Sequence, residues 1–145
     1  MWTYEHSVDS RASADAVFAL FSDVSTWREW NAGVEHVELD GPFIAGATGR
    51  MTLPDQEPIA FRLTWTEQGR GFEDEVAIPA VDVVVRVRHS LEPLSNGGTR
   101  ITYRCVIDGP AADVVGPELG PGITADFPDV MTALSALAEA AAGPR

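Results

Sequence analysis

The chain has 145 residues, 22 of them acidic against 10 basic, for a formal charge of −12. Every basic residue is arginine, which excludes an amine nucleophile and a lysine-dependent phosphate loop. An acidic chain without a basic stripe also argues against nucleic acid and against anionic membrane surfaces.

The length predicts one domain spanning residues 1–145. Cys105 is the only cysteine, so no intramolecular disulfide is available and a reducing, cytoplasmic location is expected. Met1 to Glu5 do not read as a signal peptide. No apolar run approaches the ~20 residues of a membrane span, so no membrane insertion is expected. A homodimer is compatible with the sequence, which leaves the oligomeric state open.

In chain order, Trp2 to Asp9 reads as a strand. Ser13 then looks like the N-cap of a helix carrying Val17, Phe18, Leu20 and Phe21 at helical spacing. A second short helix covers Val24 to Trp30, with Trp27 and Trp30 on one face. Strands follow at Val34 to Leu39, Gly49 to Leu53, Ile59 to Gln68 and Phe72 to Ile78. In the third of these, Ile59, Phe61, Leu63 and Trp65 share a face; in the fourth, Phe72, Asp74, Val76 and Ile78 do. The longest strand, Val81 to Leu94, aligns Val81, Val83, Val85, Val87, His89 and Leu91. Asn96-Gly97-Gly98 is a hairpin turn. Its return strand, Thr99 to Asp108, aligns Ile101, Tyr103, Cys105 and Ile107. Gly109 to Gly122, rich in Gly, Pro and Ala, reads as a loop with at most one helical turn. A last helix, capped by Thr124 or Asp126, runs to about Ala141 with an apolar stripe of Phe127, Val130, Met131, Leu134, Leu137 and Ala138. Residues 140–145 read as a fraying tail.

Sequential strands with tight turns make an antiparallel meander, and the last helix packs on its apolar face, giving an α+β domain. Asp15-Ala16-Val17-Phe18, then Asp23-Val24-Ser25-Thr26-Trp27-Arg28-Glu29-Trp30-Asn31, resemble the helix-pair segment of the START-like (SRPBCC) superfamily. Gly41-Pro42, His89-Ser90-Leu91-Glu92-Pro93 and Gly97 through Tyr103 resemble its central hairpin. Ala133-Leu134, Leu137 and Glu139 resemble its final helix. The flavour nearest to this wording is the bacterial polyketide cyclase/dehydrase branch. The resemblance implies the helix-grip fold: a curved antiparallel sheet of roughly six or seven strands wrapped around a long C-terminal helix, with two short helices after the first strand. It also implies a hydrophobic small-molecule ligand. A sheet this curved encloses more space than one helix fills, which leaves an apolar pocket with a few polar groups.

Strand parity then nominates residues. His89, Asp74 and Tyr103 point inward and are the candidate catalytic acid–base groups, although satisfied core positions explain each of them as well. Phe61, Trp65, Phe72, Val83, Val85, His89, Tyr103, Met131 and Leu134 are the candidate ligand-binding residues. No metal or cofactor is called for. His6, His36 and His89 lack ligand spacing, no serine sits in a nucleophile elbow, and Gly116, Gly120 and Gly122 do not stand between a strand and a helix. Three functional readings remain: a binder of a hydrophobic small molecule such as a lipid or polyketide; a polyketide cyclase/dehydrase-type enzyme acting by confinement and one proton transfer; and a protein-interaction module of the chaperone-activator type.

Overall fold

The hairpin turn organises the centre of the sheet. Gly97 takes a φ of 87°, which only glycine adopts freely, and the Asn96 side chain accepts the Gly98 N–H at 2.9 Å. The computed structural model describes residues 1–141. Its strands are β1 (Trp2–Ser10), β2 (His36–Asp40), β3 (Thr48–Thr52), β4 (Ile59–Glu67), β5 (Gly71–Ile78), β6 (Val83–Pro93) and β7 (Thr99–Asp108). They form one open antiparallel sheet in the order β1-β7-β6-β5-β4-β3-β2. The first strand therefore returns to pair with the last, as Val8 opposite Ile101 records. The observed β6 starts two residues later than the alternation predicts. Pro79–Val81 form a 3₁₀ turn, and Asp82 ends it in the left-handed region at φ 56°.

Helices close the concave side. α1 (Ala14–Ser22) is capped by the Ser13 hydroxyl, which accepts the Ala16 N–H at 3.2 Å. A 3₁₀ turn, Val24–Thr26, leads into α2 (Trp27–Trp30). Both tryptophans are buried, and the Trp27 indole N–H donates to the Phe21 carbonyl at 2.9 Å. That bond ties the two helices into one plug, because a buried indole N–H needs an acceptor.

The expected loop at Gly109 to Gly122 is instead a helix, α3 (Ala112–Thr124). Its buried stripe is Ala112, Gly116, Gly120 and Thr124, each four residues apart and therefore on one face. The two glycines exist for packing: a Cβ on Gly116 would stand 2.4 Å from the Trp2 Cβ, and one on Gly120 2.5 Å from the Trp2 ring. The helix bends at residues 125–126 because Pro128 has no N–H to offer the preceding turn. α4 (Phe127–Ala141) follows, opened by the Val130 N–H donating to the Asp126 carbonyl at 2.9 Å. α3 and α4 together are one long bent C-terminal helix. α4 buries Phe127, Val130, Met131, Leu134 and Ala138 against β1 and α1. Glu139 fastens it by accepting the Arg11 N–H at 2.8 Å. From residue 142 onward, the tail expected over 140–145 lies outside the described residues. No helix among the described residues is long and apolar enough to cross a membrane.

Candidate functional site: the concave face of the sheet

The register sorts the concave side chains into rows that run across the strands. One row holds Phe72, His89, Tyr103 and His6; the next holds Leu63, Asp74, Val87, Cys105 and Tyr4; a third holds Val76, Val85, Ile107 and Trp2. The three polar candidates thus sit in adjoining rows. His89 is 7% exposed, Asp74 9% and Tyr103 2%.

His89 is locked in place. Its ring stacks on Phe72 at 3.9 Å and 8° and meets the Tyr103 ring edge-on at 4.4 Å. Its Nδ1 lies 3.2 Å from the Phe72 carbonyl. A carbonyl only accepts, so Nδ1 carries the proton and Nε2 is left as an acceptor. Burial pulls the imidazole down to about 3, so the ring is neutral at physiological pH.

Asp74 behaves oppositely. Burial, with a contribution from the neighbouring Glu73 charge, pushes its carboxyl up to about 7. Among the described residues no side chain donates a hydrogen bond to it, and only its own backbone N–H opposes the rise. Its charge reaches Tyr103 and Cys105. Burial first, then the Asp74 charge, raises the Cys105 thiol to about 11. The Tyr103 phenol is raised by burial, then by Asp74, then by Asp126 at the helix bend. The Tyr103 hydroxyl has no hydrogen-bond partner. A buried orphan of this kind costs about 1–3 kcal/mol, and native interiors hold few of them.

The wall around these groups is aromatic at one end and looser at the other. Phe21 packs on Phe72 at 5.0 Å, Trp27 stacks on Phe72 at 5.5 Å, and Phe127 meets Tyr103 edge-on at 5.5 Å. Phe61, Val83, Val85, Met131 and Leu134 are buried. Met51, Val76, Ile78 and Val87 are only half-buried although they share the concave face. The candidate residues named from sequence omit these four, yet the same alternation that nominated Val83 and Val85 carries Val87 and Val76.

Trp65 is not on this surface. A bulge between Leu63 and Trp65 shifts the β4–β5 register, so Thr64 and Trp65 both lie toward the convex side. The Thr64 hydroxyl bonds the Glu73 carboxylate at 2.8 Å, and the Arg88 guanidinium stands 4.5 Å over the Trp65 ring. One inserted residue reverses the parity of everything after it.

A separate surface cleft of about 140 Å³ is lined by Val24, Ser25, Arg28, His36 and Val37. It is smaller than the ~300 Å³ at which ordinary ligand pockets begin. Among the described residues, no three His, Cys, Asp or Glu side chains converge as a metal site would require.

Residues 1–139 match the family described as polyketide cyclase / dehydrase and lipid transport. No curated protein sequence matches the chain. Among solved structures, Ara h 8.0201 superposes with a TM-score of 0.77 at 11% identity, covering 95% of this chain and 97% of that one. A norcoclaurine synthase point mutant from Thalictrum flavum, bound to a transition-state analogue, gives 0.75 at 15% identity, covering 97% and 96%. A Nitrosomonas europaea protein gives 0.75 at 14%, covering 99% and 97%. At such identities the likeness speaks for the fold alone.

Proposed function

Because this chain belongs to the polyketide cyclase / dehydrase and lipid transport family, we propose that it holds a hydrophobic small molecule, such as a lipid or polyketide, between the curved sheet and the bent C-terminal helix. The observation that carries this reading is the Tyr103 hydroxyl, which is buried without a partner on a face whose wall is mostly apolar. A ligand oxygen would satisfy it. Phe61, Phe72, Val83, Val85, Met131 and Leu134 supply the apolar wall, and His89 offers Nε2 as an acceptor. Half-buried Val76 and Val87 mark the less tightly covered part of the face.

The test is a thermal-shift screen against uncharged lipophilic probes: aromatic polyketides, sterols and fatty alcohols. A ligand present at 100 times its dissociation constant stabilises the fold by about 2.7 kcal/mol, which for a chain of this size raises Tm by about 5–10 °C. Val87→Trp fills the half-buried part of the face and abolishes that shift. No shift with any probe class counts against the reading.

A second reading, an acid–base enzyme of the cyclase/dehydrase type, is favoured by one observation. The Asp74 carboxyl, held at about 7, is matched to proton transfer near neutral pH. Turnover of a reactive polyketide chain would then show an inflection near pH 7 that Asp74→Asn removes while ligand binding persists. An unchanged profile in that variant rules out Asp74 as the acid–base group.

A further inference from the structure

We propose that the interior site takes a lipophilic ligand carrying a protonated amine, with Asp74 as its counter-ion, and that it rejects anionic lipids such as fatty acids. The inference rests on the ligand-binding reading above and adds the charge of the ligand.

It follows from where the charges sit. Arg50, Arg62, Arg86, Arg88, Arg100 and Arg104 all pair with carboxylates on the outer face of the sheet, at distances from 2.8 to 3.3 Å. The inner face receives none of them. The titratable groups whose charge couples to Asp74 are its neighbour Glu73 and, on β7, Tyr103 and Cys105. Tyr4 and His6 share the concave face but stand on β1, three strands away from β5. No arginine among the described residues faces this side. β4 and β6 present Leu63 and Val87 to it, and the face of α4 that closes the interior carries Met131 and Leu134. His89 has its Nδ1–H committed to the Phe72 carbonyl and remains neutral. Asp74 is therefore a residue nine-tenths buried with neither a cation nor a side-chain donor beside it among the described residues.

Such a group tolerates three kinds of ligand differently. A carboxylate ligand would place a second negative charge beside it in a low-dielectric interior with no cation to share. An alcohol hydrogen-bonds Asp74 in either state, accepting from the carboxyl or donating to the carboxylate. An ammonium supplies the missing counter-charge together with several donors, and the net charge of −12 draws cations toward the protein. Because Asp74 must lose its proton to pair with the amine, binding below about pH 7 releases that proton.

The experiment compares three probes that share one apolar body: naphthylethylamine, naphthylethanol and naphthylacetate. Binding of each to the full chain is measured by calorimetry at pH 8 and at pH 6. The amine binds at least about tenfold tighter than the carboxylate at pH 8, since like charges repel and opposite charges attract in a poorly solvated site. Amine affinity falls about tenfold from pH 8 to pH 6 because Asp74 must first be deprotonated, whereas alcohol affinity does not change. Asp74→Asn removes both effects. Naphthylacetate binding as tightly as the amine overturns the inference while the ligand-binding reading stands. So does an amine affinity that is flat with pH in the wild type, which needs no variant to fold. If none of the three probes binds, the ligand-binding reading fails and this inference fails with it.

Discussion

Replacing Asp74 by Asn makes the protein more stable above neutral pH, by an amount that depends on pH in a defined way. The carboxyl is raised from 3.8 to about 7 in the folded chain. Between those values the folded state holds a proton that the unfolded state has lost, so stability falls as pH rises through the window. At about 1.4 kcal/mol per tenfold change in proton affinity, the ceiling is on the order of 4 kcal/mol above pH 7. Water entering beside the charge reduces this, and a gain of about 1–3 kcal/mol at pH 8 is expected for Asp74→Asn. For a chain of this size that is a Tm increase of about 3–10 °C. At pH 4 both side chains are neutral, and the two proteins differ only by whatever the amide itself changes.

His89 titrates in the opposite sense. It is lowered from 6.5 to about 3 by burial, so below pH 6.5 the unfolded state takes up a proton that the folded state refuses. Stability is lost as pH falls. From about pH 4 to 6.5 the two groups offset each other in the wild type. Asp74→Asn removes one side of that balance, and the variant loses stability on acidification more steeply than the wild type does. Urea unfolding of both proteins at pH 4, 5, 6, 7 and 8 reads the difference directly, because all other carboxylates cancel. A stability difference that is flat across this range refutes the argument. It would mean that Asp74 is as well solvated in the folded chain as in the unfolded one.

Two further predictions concern stability alone. Gly120→Ala pushes a Cβ against the Trp2 ring, 2.5 Å away, and lowers stability by about 1–3 kcal/mol through overpacking. Gly122→Ala has nothing within 4 Å and raises it by about 0.5–1 kcal/mol through helix propensity. Opposite Tm shifts for the pair confirm that residues 112–124 are a helix packed on Trp2, and equal shifts would falsify it. Tyr103→Phe deletes a hydroxyl that has no partner and leaves the protein as stable or about 1 kcal/mol more stable in urea. A loss beyond 1 kcal/mol would mean that the hydroxyl is already bonded in the folded chain.

The parts of the fold legible in the sequence are those where a local rule and the tertiary structure agree. β6 and β7 alternate because one face is buried and the other bears the Arg86–Glu75 and Arg88–Glu73 pairs, so period two reads out directly. Ser13 caps α1 in the predicted way. Placement of His89, Asp74 and Tyr103 on the concave face follows from the same parity. Two features were hidden for different reasons. α3 was masked because glycine and proline read locally as breakers. Its glycines answer to Trp2, more than a hundred residues away in the chain, and only their spacing of four, shared with Ala112 and Thr124, signals a helix face. The bulge before Trp65 leaves no glycine or proline to mark it. It is set by how β4 must slip against β5, a relation between strands that one strand's sequence does not contain.

The consecutive acids Glu73, Asp74 and Glu75 concentrate what distinguishes this sheet. On a strand, a run of three must send its middle member to the other face. The outer two are neutralised: Glu73 by Arg88 at 2.9 Å, and Glu75 by Arg86 at 2.8 Å and Arg62 at 3.3 Å. Those pairs bridge β4, β5 and β6 and give the convex face a cross-strand lattice. The hydrogen bond from Arg86, together with the Arg86 and Arg62 charges, holds the Glu75 carboxyl below its ordinary range despite partial burial. Asp74 has the same chemistry one residue away and receives none of this. It makes no cross-strand bond, and its burial works against folding, whereas a valine at the same position would pack beside Leu63 and Val87 at no such cost. A sheet held together from outside has no structural need for a carboxyl inside. A buried carboxyl that weakens the fold without bracing it is the pattern on which the ligand role proposed above for Asp74 rests. Its strand neighbours supply the internal comparison, since they carry the same carboxylates in a purely structural role.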